Sequence, residues 1–226
     1  MHPIKTEDKY LEFEKLSRIL QIPVPLAYIG VEVKDKDGNI TECYQDRSHS
    51  WNRNFYSRLY CYVCYMDETD KTIFGAGHLN SKNVIEEIID IREKYPALEL
   101  LADAGDSSLG ILIGTGDTAE DFEGYELAAK IDAGTGAGQM SYEASPTGVP
   151  TYTPETKTWD TVFERFFNNN SGGSIIVTEA ALTSEVNVYS GNGYTMLSRD
   201  ILSSAVTVAD AGQLKITYTI SMAFPA

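Results

Sequence analysis

The sequence predicts a β-dominated α+β protein: an antiparallel β-sandwich, jelly-roll-like, with an N-terminal helical arm and a helical segment near residues 48–95. Three observations lead to this fold class. Residues 214–224 have a large apolar side chain at every second position without exception, which is the period of a strand with one buried face. The second half of the chain has further short apolar runs between Gly- and Asn-rich turns, a pattern typical of a sandwich. Residues 6–20 instead space their apolar side chains as an amphipathic helix does.

We therefore divide the chain into an N-terminal helical arm at residues 1–24 and a β-sandwich domain at residues 25–226, with a helical insertion at about residues 47–96. The chain has 226 residues. One domain with an appended arm fits this length, because single hydrophobic cores stop growing near ~250–300 residues.

The helix of the arm is predicted over residues 6–20. Phe13, Leu16 and Leu20 fall on one side at helical spacing, and Pro23 follows where the helix should have ended. A terminal amphipathic helix of this kind docks either on its own domain or on a neighbouring chain. The sequence leaves both possibilities open.

The sandwich domain is predicted to begin with a β-hairpin. Residues 26–33 alternate apolar and less apolar side chains, as a half-buried strand does. Asp37 and Gly38 suit a tight hairpin turn, and residues 40–44 would return as the partner strand.

Residues 48–66 switch to helical spacing and predict the first helix of the insertion. Ser48 is its expected N-cap. The predicted apolar stripe consists of Trp51, Phe55, Leu59, Tyr62 and Met66, and the predicted polar side of Asn52, Arg53 and Arg58. A second helix is predicted over residues 81–96, from a serine cap to a terminating proline.

The second half of the chain predicts strands at residues 109–114, 174–182 and 214–224. The last of these has the clearest pattern. Its apolar face is predicted to consist of Leu214, Ile216, Tyr218, Ile220, Met222 and Phe224. The alternating polar face indicates an antiparallel sheet with one side toward solvent or a polar partner.

Composition excludes several classes of function. The formal net charge is −15, from 33 acidic and 18 basic residues, so we expect no direct nucleic-acid binding and no docking on an anionic membrane. No run of about 18 apolar residues predicts a membrane span. Three cysteines argue against a disulfide framework. The first sixteen residues have no apolar core typical of a secretion signal, so we expect synthesis in a reducing cytoplasm.

Two motifs could indicate a nucleotide or a zinc ion. Residues 114–119 match the dinucleotide pattern G-x-G-x-x-A, but acidic residues follow where an anion would bind, so a Gly-rich turn is the favoured interpretation. Cys61 and Cys64 have the spacing of half a zinc site, which Cys43 and His49 could complete. Their place in an apolar helical stripe favours core packing instead.

Carboxylates are the remaining candidates for chemistry. The stretch 103–126 holds seven acidic residues and no Lys or Arg; it could bind a cation, although a solvated loop is favoured. Residues 48–50, Ser-His-Ser, have no G-x-S-x-G elbow beside them and are better explained by a helix cap. A carboxylate pair for glycoside hydrolysis depends on three-dimensional separation. We therefore expect no catalytic residue, no cofactor and no metal ion.

Three stretches, residues 48–60, 110–131 and 165–222, together resemble a loosely defined set of virion structural proteins of tailed bacteriophages. The resemblance covers about half of the chain and depends on the combination, since no single motif is diagnostic. It implies a β-rich, multimeric protein without enzymatic activity, in the head, at the head–tail junction or in the tail. The N-terminal helix and the cysteine pair are not features of that set.

The expected function is therefore structural. The chain would assemble in the virion with other copies of itself, as a homo-oligomer, and with other virion proteins. Phe13, Leu16 and Leu20 of the arm are the predicted assembly contacts. One alternative is a fibre or receptor-binding module that contacts carbohydrate, since 14 tyrosines and 2 tryptophans could stack on sugars. A second alternative is a carboxylate-based hydrolase.

Overall fold

The computed structural model describes residues 6–64, 78–79, 85–86, 100–146, 148–188 and 191–224. Two helices are present in this part of the chain, α1 (Thr6–Leu20) and α2 (Arg53–Cys64). The strands are β1 (Val24–Lys34), β2 (Ile40–Ser48), β3 (His78–Leu79), β4 (Ile85–Glu86), β5 (Gly110–Gly114), β6 (Ser141–Tyr142), β7 (Thr151–Thr153), β8 (Thr158–Asn168), β9 (Ile175–Val188), β10 (Gly191–Val208) and β11 (Gln213–Ala223).

The strands form two main antiparallel sheets. The larger sheet has the order β2-β1-β11-β8-β6, with β7 also paired to β8, and the smaller has the order β10-β9-β5. The hydrophobic core contains side chains of both sheets. The β-dominated antiparallel sandwich with a small N-terminal helical piece, expected from the sequence, is confirmed.

The alternation in residues 214–224 does form a strand, but only part of its apolar face is covered. Leu214, Ile216 and Tyr218 are fully buried, whereas Met222 and Phe224 are exposed. The end of this strand at Met222 and Phe224 is therefore not part of the buried core. The pattern predicted the strand correctly but not how much of its apolar face is buried.

The predicted hairpin is also confirmed, and its turn has a specific stabilising residue. Asp35 Oδ1 accepts hydrogen bonds from the backbone N–H groups of Asp37 and Asn39, at 2.9 Å each. Gly38 has a φ of +83°, a backbone conformation that glycine adopts at no steric cost.

The helix predicted at residues 48–66 begins later than expected. Strand β2 continues to Ser48, and α2 begins only at Arg53. Asn52 caps α2, because its Oδ1 accepts hydrogen bonds from the N–H groups of Asn54 and Phe55 at 3.1 and 3.3 Å. The prediction of Ser48 as N-cap was therefore wrong.

The orientation of α2 also differs from the prediction. Arg58 was expected on the solvent side, but it is buried and its Nη1 donates to Ser184 Oγ at 3.0 Å and to the carbonyl of Glu185 at 3.1 Å. Leu59 was expected in the core and is 43% exposed. These two acceptors on β9 explain the orientation, since buried donors must find acceptors. The side chains of Tyr62 and Met66 lie outside the described residues.

The second predicted helix, residues 81–96, is wrong where the structure can test it. Ile85 and Glu86 form a two-residue ladder with His78 and Leu79. The rest of that stretch lies outside the described residues. Of the two described helices, neither is long and apolar enough to cross a membrane.

Candidate functional site

The apolar side of α1 is uncovered. Phe13, Leu16 and Leu20 are 51%, 49% and 54% exposed, although spacing of this kind normally marks a face that packs on something. The structure thus places the three predicted assembly contacts together on one solvent-facing stripe of the arm. That they touch another chain stays a prediction.

The connection between α1 and β1 limits where the arm can go. Gln21 has a left-handed φ of 54°, and the N–H of Ile22 donates to the carbonyl of Ser17 at 3.1 Å, the closing bond of a Schellman cap. Pro23 and Pro25 then restrict the backbone just before β1 and at its start. The arm therefore leaves the sandwich in a defined direction.

A second apolar surface lies at the uncovered end of the larger sheet. Pro25, Met222, Trp159 and Tyr152 stand opposite one another on four successive strands and so share one face; we call these four residues the ledge. Trp159 and Tyr152 are 46% and 43% exposed, and their ring centroids are 5.1 Å apart. Met222 belongs to the predicted apolar face of residues 214–224 and is nevertheless exposed, because alternation shows which residues share a face but not whether that face is covered.

A histidine and two carboxylates come together elsewhere in the sandwich. His49 follows the end of β2, Glu120 lies in the loop after β5, and Asp200 belongs to β10. One ligand atom from each lies within 4.8 Å of the others. His49 Nδ1 is 3.3 Å from Glu120 Oε2 and 3.1 Å from Ser50 Oγ. We call these three residues, His49, Glu120 and Asp200, the histidine–carboxylate cluster.

Asp200 is the buried member of the cluster. Its Oδ2 accepts hydrogen bonds from Ser48 Oγ at 2.8 Å and from the Tyr218 hydroxyl at 2.9 Å, and its Oδ1 accepts from the backbone N–H of His49 at 3.2 Å. Burial raises the pKa of Asp200, although the two hydroxyl donors act in the opposite direction. Ser48, predicted as a helix cap, therefore holds this carboxylate instead.

The other two members are nearer the surface and interact with each other. Partial burial would raise the pKa of Glu120, but interaction with His49 and the N–H of Ile201 outweighs it and lowers the pKa to about 2. The same interaction with Glu120 raises the pKa of His49. The interaction thus favours the charged forms of both side chains, the imidazolium of His49 and the carboxylate of Glu120.

The cluster was missed in the sequence because its residues are separated by more than 70 positions at each step. The zinc arrangement considered there, Cys43 with His49, does not form. Cys43 lies within β2 and His49 beyond its end, so ~3.3 Å per residue places them more than about 15 Å apart. The side chains of Cys61 and Cys64 lie outside the described residues.

The glycine motif at residues 114–119 surrounds a buried carboxylate. Glu179 accepts hydrogen bonds from the N–H groups of Gly116, Ala128 and Ala129 at 3.0, 3.1 and 2.8 Å. A Cβ built on Gly116 would lie 2.6 Å from Glu179 Oε1. Glycine is required here for close approach to Glu179, and the amide that a phosphate would need is already bonded.

Most of the acidic stretch 103–126 behaves as a solvated loop. Asp103, Asp117, Asp121 and Glu123 are exposed, and Glu120 is the member that enters the cluster. The carboxylate pair Glu120 and Asp200 could suggest a hydrolase. However, Asp200 is 2% exposed and is surrounded by three donors, so it does not face a substrate cleft.

A small cleft lies beside the smaller sheet. Its volume is about 210 Å³, and its lining includes Leu112, Tyr125, Glu126, Lys130, Tyr194 and Met196. It is smaller than the ~300–1,000 Å³ typical of pockets for drug-sized ligands. Two tyrosines, one acid and one base nevertheless give it the groups that a single sugar ring could contact.

Comparison of the chain with protein-family models, with curated proteins and with solved structures finds no match.

Proposed function

We propose that this chain is a non-catalytic structural component of a tailed-bacteriophage particle and acts by multimeric assembly through protein–protein interfaces. Its partners would be other copies of itself and other virion proteins, and its location the virion, after synthesis in the host cytoplasm. The observation that carries the proposal is the uncovered apolar stripe of α1, formed by Phe13, Leu16 and Leu20. The resemblance of three stretches of the sequence to virion proteins supplies the context.

The stripe is suited to weak, repeated contacts. Its three anchor side chains are about half exposed, so burying the rest of their surface would contribute ~2–4 kcal/mol of transfer free energy. Association costs of ~4–15 kcal/mol would offset much or all of this. One arm alone would therefore bind weakly, whereas many arms in one shell would bind together through avidity. This behaviour suits a protein that should assemble only on a growing particle.

The ledge is the surface that we assign to a neighbour's arm. Trp159 and Met222 of the ledge are 46% and 39% exposed, so the ledge offers apolar surface to a neighbour's arm. An amphipathic helix can lay its apolar face on such a surface. The contact is between unlike surfaces, and so it would produce a ring or an open filament of copies.

Two charge substitutions test this arrangement. Leu16→Glu disables the arm and Trp159→Glu disables the ledge, and each variant alone should sediment as a monomer where the wild type shows concentration-dependent association. Mixed together, the two variants should give dimers, because one intact arm meets one intact ledge. Ile40→Glu, at an exposed apolar residue in another part of the larger sheet, is the matched control and should associate like the wild type.

The outcomes separate the possible interfaces. If Leu16→Glu associates normally, the arm is not an assembly element. If Leu16→Glu is monomeric but Trp159→Glu still associates, the arm binds another arm or another surface, and the ledge is not its partner. For the virion location, mass spectrometry of density-purified phage particles should recover the chain in multiple copies; its absence there would refute the location.

The cleft between Tyr125 and Tyr194 favours a second candidate, a fibre or receptor-binding module that contacts carbohydrate. Tyrosine rings provide apolar faces with a polar hydroxyl at the edge, which suits a sugar ring. A glycan array probed with the wild type and with Tyr125→Ala tests it, and an array without hits counts against it. Turnover of polysaccharide or peptidoglycan that a single Asp or Glu substitution abolishes would instead indicate the hydrolase alternative.

A further inference from the structure

We propose that His49, Glu120 and Asp200 form a binding site for one divalent transition-metal ion of the Zn²⁺ type. The site is separate from the arm and the ledge, and the proposed assembly function does not require it. Three observations support it: the spacing of the donor atoms, the surroundings of Asp200, and the chemical types of the three ligands.

The spacing suits a small ion. Two ligands at ~2.0–2.1 Å from a tetrahedral Zn²⁺ lie about 3.3 Å from each other. His49 Nδ1 and Glu120 Oε2 are 3.3 Å apart, which equals the separation of two ligands on one such ion. All three donor atoms lie within 4.8 Å of one another, so bringing every pair to the tetrahedral spacing would require movements of at most about 1.5 Å.

The surroundings of Asp200 provide a second, independent indication. This carboxylate is 2% exposed, and the donors described above, two hydroxyls and one amide, are all neutral. A carboxylate offers about four lone-pair positions, so these three donors leave one open on Oδ1, the oxygen bonded to the His49 amide. A buried carboxylate is costly without a compensating charge, and a divalent cation would supply it.

Ser48 and Tyr218 then have a recognisable role. Metal-bound carboxylates are normally oriented by hydrogen bonds from surrounding residues. Both hydroxyls bind Oδ2 of Asp200, at 2.8 and 2.9 Å, which fixes the carboxyl plane and leaves Oδ1 directed elsewhere. The orientation of the Asp200 carboxylate is thus set by hydrogen bonds among residues of the strands β2, β10 and β11.

The ligand types select the ion. Imidazole nitrogen suits Zn²⁺, Fe²⁺ or Ni²⁺, and calcium would need six to eight oxygens. One nitrogen and two carboxylates carry a combined charge of −2 when the histidine is neutral, which a divalent ion balances. Three protein ligands leave at least one coordination position for water. The ion would connect three elements: the end of β2, the strand β10, and the loop that follows β5.

Zinc titration by calorimetry tests the site, with untagged full-length protein in which Cys43, Cys61 and Cys64 are replaced by serine. Removing the cysteines excludes binding at the C-x-x-C pair. We expect one Zn²⁺ per chain, a higher melting temperature with Zn²⁺, and, with Co²⁺, visible absorption bands from protein coordination. His49→Ala and Glu120→Gln should each weaken Zn²⁺ binding at least tenfold, in line with the loss of a metal ligand.

Two matched controls complete the experiment. Asp117→Asn and Glu126→Gln remove exposed acids of the same loop and should leave the affinity unchanged. His49 and Glu120 are partly exposed, so their variants should fold, which circular dichroism would verify. The proposal is overturned if the cysteine-free chain does not bind Zn²⁺, or if its binding is unchanged in both His49→Ala and Glu120→Gln. Such a result would leave the assembly proposal untouched, because the arm and ledge variants retain the cluster.

Discussion

Arg199 Nε donates a hydrogen bond to Glu179 Oε2 at 2.6 Å, and both side chains are buried between the smaller sheet and the loop that follows β5. Glu179 also holds the backbone N–H of Gly116, and Arg199 Nη2 donates to the carbonyl of Thr118 at 3.0 Å. Through these hydrogen bonds the ion pair holds the irregular loop after β5 against the smaller sheet. That loop also carries Glu120 of the histidine–carboxylate cluster.

Glu179→Gln should strongly destabilise the protein. Removing one charge of a buried pair leaves the other uncompensated, which typically costs ~3–5 kcal/mol. Urea unfolding followed by circular dichroism would measure the loss. Glu164→Gln is the control, because its pair with Lys215 has the same 2.6 Å separation but both side chains are about 30% exposed; it should cost less than about 1 kcal/mol. Equal losses in the two variants would contradict this reasoning.

Gly116→Ala should destabilise through a steric conflict. The added methyl group would lie 2.5 Å from the Ala128 Cβ as well as 2.6 Å from Glu179 Oε1, so the loop or the carboxylate must move, at a cost of ~1–3 kcal/mol. Gly173→Ala is the matched control, since nothing lies within 4 Å of the position that its methyl group would take, and it should change stability by at most about 0.5 kcal/mol. A neutral Gly116→Ala variant would show that the loop is not tightly packed against Glu179.

Arg165→Lys should cost about 3 kcal/mol or more. The guanidinium is fully buried and donates five hydrogen bonds to backbone carbonyls, those of Asp103, Asp106, Leu109, Ile111 and Glu143. Lysine has three donors, so at least two buried carbonyls would lose their partner. Thermal and urea unfolding would measure the effect. Arg53→Lys, at a surface pair with Glu123, should be nearly neutral, and a similar cost at both positions would refute the explanation.

The orientation of α2 predicts an unusual order of stabilities. Arg58→Ala should cost about 2–3 kcal/mol, because it removes two buried hydrogen bonds from a charged donor to Ser184 and Glu185. Leu59→Ala, one residue further on the exposed side, should cost less than about 1 kcal/mol. Parallel melts of the two variants would check this. A larger loss in Leu59→Ala would mean that the leucine side of the helix is the packed one.

Several elements were predictable because their cause is local. The hairpin turn at Asp37 and Gly38 needs one hydrogen-bond acceptor, Asp35, and one residue with positive φ, Gly38. These two residues are only three positions apart in the sequence. The alternation of residues 214–224 likewise specifies a strand, since side chains in a strand point to opposite faces in turn. The arm follows from helical spacing and terminating prolines. These features together predicted the sandwich with its N-terminal helix.

Other elements were predicted wrongly because the competing interaction is remote in sequence. Ser48 has the chemistry of a helix cap, but Asp200 lies within hydrogen-bond reach and β2 continues through Ser48. Arg58 has the chemistry of a surface residue, but acceptors on β9 are available to it. In both cases local propensity is worth about 1 kcal/mol, less than satisfying a buried polar group.

The sequence by itself thus determined the fold class, the long C-terminal strand, the hairpin and the amphipathic arm, because periodicity and turn chemistry act over a few residues. Only the tertiary structure decided which apolar faces are covered and which polar side chains meet. Met222 is exposed on the ledge although it shares a strand face with the buried Leu214, and His49 meets Asp200 because segments about 150 residues apart in sequence are brought together in the sandwich. Burial and coordination depend on distances through space, which no local pattern encodes.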